Sequence, residues 1–456
     1  MAEEMMRPPI NRSMLKLDRS FFRRSVPLKA ARIFDNKNIS KVRTQLERSK
    51  DALAQPRITN ILADPDRSLA AQGRKCILLR EEVAHSNDNT RTTGPHTSVL
   101  ESLATEGLLE VIPYDLQLEY DYWTYHDIIS AILPEDDLGE IPSGFTQTGH
   151  VAHLNLRDDY LKYKYLIAEI MMDKNPGITT VINKIDDVGE ESAYRTFQYE
   201  LLAGKNDLNV TISEENCTFQ FDFSKVYWNS RLNTEHRRLV TLFNAGDVVC
   251  DVMAGIGPFA VPAGKKGVFV WANDLNPDSY IYLKDAITRN KVHQYVQPFN
   301  DDGHTFIRSA SEALLKTEHS VDIMSKPARA TQKKPELLKT IHQPRVFQHF
   351  VMNLPASALS FLPDFIGLYS GLEDQLPSDS QMPQIHVYCF NTKSDDNVEE
   401  TKKICAEISS LLGYNLLPGK IEDGGVEIHD VRDVAPKKRM FCASFRLPQE
   451  VAFRRR

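Results

Sequence analysis

The stretch "DVMAGIGPFAVPAGKKG", residues 251–267, follows the apolar run "DVVC" and carries two glycines close together. An apolar strand, a glycine-rich turn and an apolar helix typically open a parallel α/β sheet that binds a nucleoside. Gly255 and Gly257 lack a Cβ, so a ligand can approach the backbone there, and Asp251 supplies a carboxylate at the strand end. We therefore expect a ligand-binding loop at this point of the chain.

Two further strand ends carry acids in the positions that a nucleoside needs. The run "GVFVWAND" ends near Asp274, 19 residues after Gly255, and "YVQPFNDD" ends near Asp302. In doubly wound folds the first acid accepts from ribose hydroxyls, and the second can meet an adenine amino group. A later strand runs into "VMNLPAS", where Asn353 presents an amide that can donate and accept. Alternating strands and helices at this spacing predict an α/β fold with a parallel, doubly wound sheet.

The residues of the loop favour one cofactor over another. Pro258 follows the second glycine and lacks the N–H that a diphosphate would use, and Asp251 suits an amino group better than a phosphate. S-adenosylmethionine carries a positive charge and no phosphate, so the pattern favours it. A nicotinamide cofactor, or no ligand at all, remains open on pattern alone.

The composition of the chain limits the classes of protein to which it can belong. The chain has 456 residues, a net charge of −7 and six cysteines without a CxxC pair, which argues against a metal site or a disulfide scaffold. No apolar run approaches the ~20 residues that span a bilayer, so we expect no membrane partner. Residues 1–50 nevertheless hold 13 Lys and Arg against five Asp and Glu, and such a local basic patch is compatible with nucleic acid.

Changes in composition and periodicity divide the chain into four parts and one insertion. A basic insertion, 325–345, interrupts the last part with three prolines. The predicted parts are a basic, poorly ordered arm (1–26), an N-terminal domain (27–115), a small linking α/β domain (116–206) and the doubly wound domain (207–456).

Nine ordered motifs make the chain resemble the eukaryotic and archaeal tRNA (guanine-N1-)-methyltransferases that modify position 37. They are "HVAHLNLR", "VINKID", "YRTFQYELLAG", "VYWNSRLNTEHRR", "DVMAGIGPFA", "NDLNP", "NDDG", "VMNLPASALSFL" and "HDVRDVAPKKRMFCASFRLP". The resemblance covers residues 27–450. It implies a Rossmann-like class I methyltransferase domain preceded by a tRNA-anchoring domain and a small linking domain, both α/β or α+β. Where the family often has Asn-Leu-Pro-Pro, this chain has "NLPA".

The resemblance also implies an activity and catalytic residues. The activity is S-adenosylmethionine-dependent methylation of guanine N1 at tRNA position 37, which supports reading-frame maintenance. Glu235 matches the general base, Arg195 a cation beside O6, Tyr227 an aromatic residue of the pocket, and Asn353 a positioning amide. By position alone, Glu235 also fits the first turn of a helix and Tyr227 a buried core. Arg195 equally fits a surface arginine.

The cofactor site that the resemblance implies joins the loop described above. The implied residues are His236, Asp274, Leu275, Asp302, Gly303 and Asn353, beside Asp251, Gly255 and Gly257 of the loop. The implied partner is tRNA, through its anticodon stem-loop and body, and we expect a monomer in the cytoplasm, the mitochondrial matrix and the nucleus. Two alternatives stay open: an aminocarboxypropyl transferase of wybutosine synthesis, and a non-catalytic tRNA-binding scaffold.

Overall fold

The computed structural model describes residues 6–80, 97–136, 141–185, 194, 196–325, 336–377 and 380–455. The chain forms two compact units, each assembled from several segments. The first comprises Met1–Phe145, Asn155–Gly177 and Leu202–Gly204, and the second comprises Thr146–Leu154, Ile178–Leu201 and Lys205–Arg456.

The first unit is built on a four-stranded antiparallel sheet of order β2-β3-β1-β4. Apolar residues of β1 and α1 pack together beneath the sheet, among them Ile33, Val42 and Leu46. The elements are β1 (Arg24–Ile33), α1 (Ile39–Arg48), β2 (Ile61–Ala63), α2 (Arg67–Ala71), β3 (Lys75–Leu78), α3 (Thr97–Thr105), β4 (Leu109–Leu118), α4 (Tyr125–Ile132) and α5 (Lys164–Lys174).

The basic N-terminal segment is more ordered than the sequence indicated. Met14, Leu17 and Phe22 are buried, and the Asn11 amide donates to the carbonyl of Ala131 at 2.9 Å. The prediction of a poorly ordered arm over 1–26 is therefore wrong for the described residues. The basic charge of the segment indicated an arm without fixed structure, but apolar residues lie between the charged ones and anchor the segment.

The predicted boundaries of the linking domain also differ from the structure. Helix α4 and helix α5 belong to the first unit, whereas most of the β-structure between residues 146 and 201 belongs to the second. The range 116–206 is therefore not one contiguous body. The polar stretch 83–97, which the sequence suggests is a loop, lies almost wholly outside the described residues.

The second unit contains a four-stranded sheet, a hairpin and a seven-stranded sheet. The small sheet has the order β5-β6-β7-β8, with β6 and β7 parallel, and β9 pairs with β10 as a hairpin. These strands are β5 (Phe145–Thr148), β6 (Val151–Leu154), β7 (Thr180–Lys184), β8 (Tyr199–Gly204), β9 (Asn209–Glu214) and β10 (Cys217–Asp222).

The seven-stranded sheet has the order β13-β12-β11-β16-β17-β19-β18. Its first five strands are parallel, and the last two add antiparallel strands at one edge. The elements are α6 (Asn233–Leu242), β11 (Val248–Asp251), α7 (Ala260–Lys265), β12 (Phe269–Asn273), α8 (Pro277–Asn290), β13 (Val296–Phe299), α9 (Gly303–Lys316), β14 (Ser320–Met324), β15 (Leu337–His342), β16 (His349–Met352), β17 (Gln384–Thr392), α10 (Val398–Leu412), β18 (Glu427–Ala435), β19 (Lys438–Arg446) and α11 (Gln449–Ala452).

Both faces of this sheet are buried, as the predicted doubly wound fold requires. Along β11, Val248 and Cys250 join one hydrophobic cluster while Val249 between them joins another. Because successive side chains of a strand point to opposite faces, the two clusters lie on opposite sides of the sheet.

The predicted insertion 325–345 is only partly a loop. Its second half contains β15, which pairs antiparallel with β14 in a two-stranded sheet separate from the main one. Residues 326–335 lie outside the described residues. All six cysteines are buried and unpaired, as expected for small core residues. In the described part of the chain, no helix is long and apolar enough to cross a membrane.

Candidate active site

A cavity of about 150 Å³ lies at the carboxyl ends of β11, β12, β13 and β16. Ligands of open parallel sheets bind at this edge, where the loops leave the strands. The predicted residues that line it are Tyr227, His236, Gly255, Asp274, Leu275, Asp302, Gly303 and Asn353. The structure thus brings together side chains that are widely spaced in the sequence.

The structure requires glycine at the two positions of the loop for different reasons. Gly255 has a φ of +57°, and a Cβ built on it would meet nothing within 4 Å, so it faces open space in the cavity wall. Gly257 has a φ of +92°, and its Cβ would lie 2.7 Å from Cδ1 of Leu283 and 2.9 Å from Cγ2 of Val261. Gly257 does not line the cavity. The structure gives Gly257 a role in helix packing, and the cofactor contact predicted for it stays a prediction.

Asp274 holds the glycine loop in place. Its Oδ2 accepts from the Gly255 amide at 2.8 Å, and its Oδ1 accepts from the Asn276 amide at 2.9 Å. Burial raises the pKa of this carboxyl, while the two backbone N–H donors act in the opposite direction. The carboxylate therefore shapes the loop as well as facing the cavity.

Two asparagines that the sequence analysis missed fix the strand ends. The buried amide of Asn273 donates to the carbonyls of Val252 and Asp301, each at 3.0 Å, and so ties together the ends of three strands. Asn276 donates to the Lys225 carbonyl at 2.9 Å, which holds the segment leading to Tyr227. The sequence signal was present in "NDLNP", where both asparagines flank Asp274.

Asp251 is the most unusual group at this edge. Its carboxylate is fully buried behind the cavity wall, and neither oxygen has a hydrogen-bond partner among the described residues. Burial, and secondarily the charge of Asp274, raises its pKa well above the usual range. A buried, unpartnered carboxylate is costly unless a positive group neutralises it. Asp251 does not itself line the cavity, and the cofactor contact predicted for it stays a prediction.

Asp302 and Gly303 begin helix α9 at the cavity. Oδ1 of Asp302 accepts from the backbone amides of His304 and Thr305, which makes it the N-cap of the helix. A Cβ on Gly303 would lie 2.9 Å from the ring of Phe361, which lines the cavity and stacks on His304 at 3.8 Å. Gly303 therefore allows an aromatic wall to approach the helix.

The mouth of the cavity combines apolar surface with one unsatisfied amide. Leu275 and Tyr227 are exposed there, at 48% and 36%. The Oδ1 atom of Asn353 is buried and has no hydrogen-bond partner among the described residues. This oxygen can accept from an N–H of a bound ligand.

His236 is held by an acid on the neighbouring hairpin. Its Nδ1 lies 2.5 Å from Oε1 of Glu214, and its ring packs edge-on against Phe259 at 4.8 Å. This contact fixes the orientation of the imidazole in the cavity wall. The cofactor contact predicted for it stays a prediction.

Glu235 is buried but does not line the cavity. Its two oxygens accept from Nε and Nη2 of Arg238, both at 2.7 Å, and Oε1 also accepts from the Tyr388 hydroxyl at 2.6 Å. Nε2 of His429 lies 3.4 Å from Oε2. The structure thus places the predicted base beside, rather than in, the cofactor cavity, so its role stays a prediction. Tyr388 lies 153 residues away, so no local pattern could reveal the contact.

Arg195 lies outside the described residues, and its predicted role stays a prediction. The neighbouring Tyr194 lines the cavity, as do three aromatic or polar residues that the sequence analysis did not single out as site residues: Trp228, Asn229 and Ser279.

A second, larger cavity of about 720 Å³ lies at the amino ends of the parallel strands. Two of its lining residues, His349 and Ser444, are each hydrogen-bonded to the buried His386 behind its wall. Nδ1 of His349 lies 3.0 Å from Nε2 of His386, and Nδ1 of His386 lies 2.8 Å from the hydroxyl of Ser444. Arg238, which also lines this cavity, is the partner of Glu235.

Comparison with known proteins matches two family models to consecutive parts of the chain. A family model described as the TYW2 N-terminal domain matches residues 125–207, and one described as the TRM5/TYW2 methyltransferase domain matches residues 211–343. A tRNA (guanine(37)-N(1))-methyltransferase of Aspergillus fumigatus is 54% identical over 468 aligned positions, which cover 99% of this chain and 96% of the relative. The chain belongs to the tRNA (guanine(37)-N(1))-methyltransferase family.

Other relatives agree with this family. The corresponding protein of Fusarium vanettenii is 51% identical, with 98% of this chain and 97% of the relative covered. A solved structure described as a complex of aTrm5 and tRNALeu superposes with a TM-score of 0.58 at 20% identity, over 92% of this chain and 100% of that chain. The structural likeness confirms the predicted Rossmann-like class I methyltransferase fold.

Proposed function

We propose that the chain transfers the methyl group of S-adenosylmethionine to N1 of guanine 37 in tRNA. The observation that carries this proposal is the pair of unsatisfied groups, Asp251 and Asn353, beside open space at Gly255. Membership of the family supplies the substrate and the position.

The cavity fits the chemistry of S-adenosylmethionine, which supplies an electrophilic methyl group on a positively charged sulfur. The field of Asp251 favours the cationic amino-acid end, and the open surface over Gly255 leaves room for it. Asp274 would accept from the ribose hydroxyls with its remaining lone pairs, and Leu275 and Asp302 would contact adenine. These assignments follow the family pattern and the lining of the cavity.

Methylating guanine N1 requires a base and a stabilising cation. N1 carries a proton at neutral pH, and negative charge develops on O6 as that proton leaves. Glu235 would accept the proton, and Arg195 would stabilise O6. Tyr227 at the cavity mouth would stack on the base, and the free Oδ1 of Asn353 would accept from its Watson–Crick edge.

The contacts of Glu235 set a condition on this mechanism. Both oxygens of Glu235 accept from Arg238, so this pairing occupies the atoms that would take the proton from N1. Glu235 therefore has to give up part of its pairing with Arg238 when the target guanine enters. The Tyr388 hydroxyl can continue to hold Oε1 while Oε2 turns towards the base.

The substrate has to present an unstacked base. Position 37 is stacked in the anticodon loop, so the nucleotide must flip out to reach a cavity of this kind. We propose that the chain binds the anticodon stem-loop and the body of the tRNA as a monomer. Cytoplasm, mitochondrial matrix and nucleus remain the proposed locations, and fractionation with a tagged chain tests them.

The decisive experiment uses tRNA transcripts that carry G37 or A37 with methyl-labelled S-adenosylmethionine. We expect label on the G37 transcript alone, at N1 of nucleotide 37 after nuclease digestion. Equal labelling of both transcripts, or label on another nucleotide, contradicts the proposal.

A second label distinguishes methyl transfer from aminocarboxypropyl transfer, the alternative that the TRM5/TYW2 family model leaves open. S-adenosylmethionine labelled in its carboxyl group marks RNA only if the aminocarboxypropyl group is transferred. We expect no such label on the G37 transcript. Carboxyl label in the RNA would indicate the wybutosine-type reaction, and no label from either cofactor would indicate a non-catalytic scaffold.

A further inference from the structure

Arg432 on β18 carries a buried guanidinium nitrogen with nothing to bind. Its Nε donates to the Asp433 carbonyl at 3.2 Å, whereas its Nη1 is buried and has no hydrogen-bond partner among the described residues. The two acids that flank it are already paired, since Arg439 contacts both Asp430 and Asp433. Arg432 is partly exposed and forms no ion pair among the described residues, so its guanidinium has donors left for a ligand.

The charged or ionisable groups that act on Arg432 are a second arginine, Arg231, the hydroxyl of Tyr227 and the carboxylate of Asp433. Burial, and then the charge of Arg231, lowers the pKa of Arg432. Arg231 lies in the 3-10 turn Ser230–Leu232, and its charge also contributes, after burial and Lys184, to lowering the pKa of His153 to about 4. Arg231 and Arg432 have no carboxylate partner in the part of the chain that the structure describes.

Lys184 on β7 extends this group of cations. Burial lowers the pKa of its amine to about 8. The amine lies 4.0 Å from the ring centre of Phe197 and 5.3 Å from that of Phe223. It likewise has no carboxylate partner among the described residues. We call Lys184, Arg231 and Arg432, with the neutral His153 between them, the basic row.

The basic row borders the mouth of the cofactor cavity. Tyr227 lines the cavity, and its hydroxyl contributes to the electrostatic environment of Arg432. The side chain of Asn229 joins the two ends of this segment, because its Nδ2 lies 3.4 Å from the Tyr227 hydroxyl and its Oδ1 accepts from the Arg231 amide at 3.1 Å. The same short segment therefore carries a wall of the cavity and a member of the row.

We propose that Arg432 and Arg231 bind a phosphodiester group beside the flipped nucleotide 37, with Lys184 contacting the RNA backbone further along. This assignment rests on the proposed function. Two guanidinium groups without a carboxylate need a negative charge, which a phosphodiester supplies and a neutral base edge does not. The planar guanidinium donors also match phosphate oxygens in geometry. Held in this way, the backbone would fix the nucleotide whose base enters the cavity.

The first test compares Arg432→Gln and Arg231→Gln with Arg289→Gln in the full chain. Arg289 is a matched control because it is paired with Asp285 on α8. We expect each of the first two variants to bind G37 tRNA at least about fivefold more weakly, and to lower the slope of log affinity against log salt by about one. The control should keep both values, and the affinity for S-adenosylmethionine should be unchanged in all three.

Thermal melting separates a ligand-binding arginine from a structural one. Since Arg432 forms no ion pair among the described residues, Arg432→Gln should melt at the same temperature as the wild type or higher. A lower melting temperature together with wild-type tRNA affinity and salt slope overturns the proposal, because it would show that Arg432 only supports the fold.

The second test removes the charge from the RNA instead. A G37 tRNA is assembled with a neutral methylphosphonate in place of each of the two linkages flanking nucleotide 37 in turn. For one of these linkages, we expect the wild type to lose as much affinity as Arg432→Gln loses on natural tRNA, and the variant to lose nothing more. Equal losses for the wild type and the variant on both linkages contradict the phosphodiester assignment.

The two proposals can fail separately. If the wild type methylates no G37 tRNA, the proposed function fails, whatever the salt slopes show. If the wild type methylates G37 and Arg432→Gln has wild-type affinity, slope and rate, the function stands and the basic row is not a phosphodiester site.

Discussion

The seven-stranded sheet has a small cavity at the carboxyl ends of its parallel strands and a large one at their amino ends, about 150 Å³ against about 720 Å³. Beside the small cavity, Asp251 and Asn353 carry buried polar atoms without partners among the described residues. At the large cavity, the lining residues His349 and Ser444 are each hydrogen-bonded to the buried His386, which does not line the cavity. None of the unpartnered buried side-chain atoms of the described chain belongs to a residue that lines it.

This difference favours the small cavity as the candidate site, although it is the smaller of the two. Native proteins satisfy nearly all buried polar groups, so the unpartnered atoms of Asp251 and Asn353 at this edge of the sheet need an explanation, and a bound ligand provides one. The carboxyl edge of the sheet is also where the loops and the glycine turn leave space for one. At the large cavity, by contrast, His349 and Ser444 already have hydrogen-bond partners within the fold.

The largest expected effect compares one acid from each cavity. Asp274→Asn should weaken S-adenosylmethionine binding by about a hundredfold, because charge-assisted hydrogen bonds of about 1.5–3 kcal/mol each hold the glycine loop. Asp247→Asn in the large cavity should change the affinity by less than about twofold. Isothermal titration measures both. Equal losses would remove the distinction between the two cavities.

The next effect concerns the acid that lies beside the small cavity. Glu235→Gln should lower the single-turnover rate of methyl transfer at least about tenfold, as expected for loss of a general base. Cofactor affinity should barely move, because Glu235 does not line the cavity. Glu400→Gln is the control, since Glu400 is also buried and accepts from Thr392 at 2.9 Å. An unchanged single-turnover rate in Glu235→Gln removes this residue from the mechanism.

A third effect separates the two glycines of the loop. Both substitutions to alanine carry a cost of about 1–2 kcal/mol for the left-handed backbone. Gly257→Ala adds about 1–3 kcal/mol of overpacking against Leu283 and Val261, so it should lower the melting temperature more. Gly255→Ala should instead lower cofactor affinity by about tenfold, because its methyl group enters the open space. The opposite order of the two affinities would refute the assignment of Gly255 to the cavity wall.

The smallest expected effect is the release of a fraction of a proton from Asp251 when the cofactor binds. Its raised pKa means that the free protein holds a proton there at pH values where an ordinary aspartate is ionised. A cationic ligand favours the ionised form, so binding should release protons and strengthen as pH rises towards the raised pKa. Titration in two buffers of different ionisation heat counts the protons. Asp251→Asn should abolish this release, and an identical count in wild type and variant would show that Asp251 does not sense the ligand.

The sequence predicted what local spacing encodes. Strand–helix alternation indicated the doubly wound sheet, and the distances between Gly255, Asp274 and Asp302 placed them at one edge of it. Parallel strands make such a prediction possible, because their carboxyl ends must lie together. The separate hairpin of β14 and β15 was not predicted, since an apolar run such as "VDIM" does not say which sheet it joins.

The features of the site that the sequence did not predict depend on contacts between distant segments. The pairing of Glu235 with Tyr388 joins residues 153 positions apart, and Asn276 reaches back 51 positions to the Lys225 carbonyl. Neither contact leaves a local periodic pattern. Arg432 was within a recognised motif, but only its surroundings in the fold reveal that a buried nitrogen has no partner.

The most direct test of the central claim is a crystal structure of the full chain with S-adenosylhomocysteine. We expect density for the product in the small cavity, against Gly255, Asp274 and Asn353, with the large cavity free of it. Density for the nucleoside in the large cavity, against Asp247, His349 and Ser444, with the small cavity empty, would contradict the claim that the unpartnered atoms of Asp251 and Asn353 mark the site.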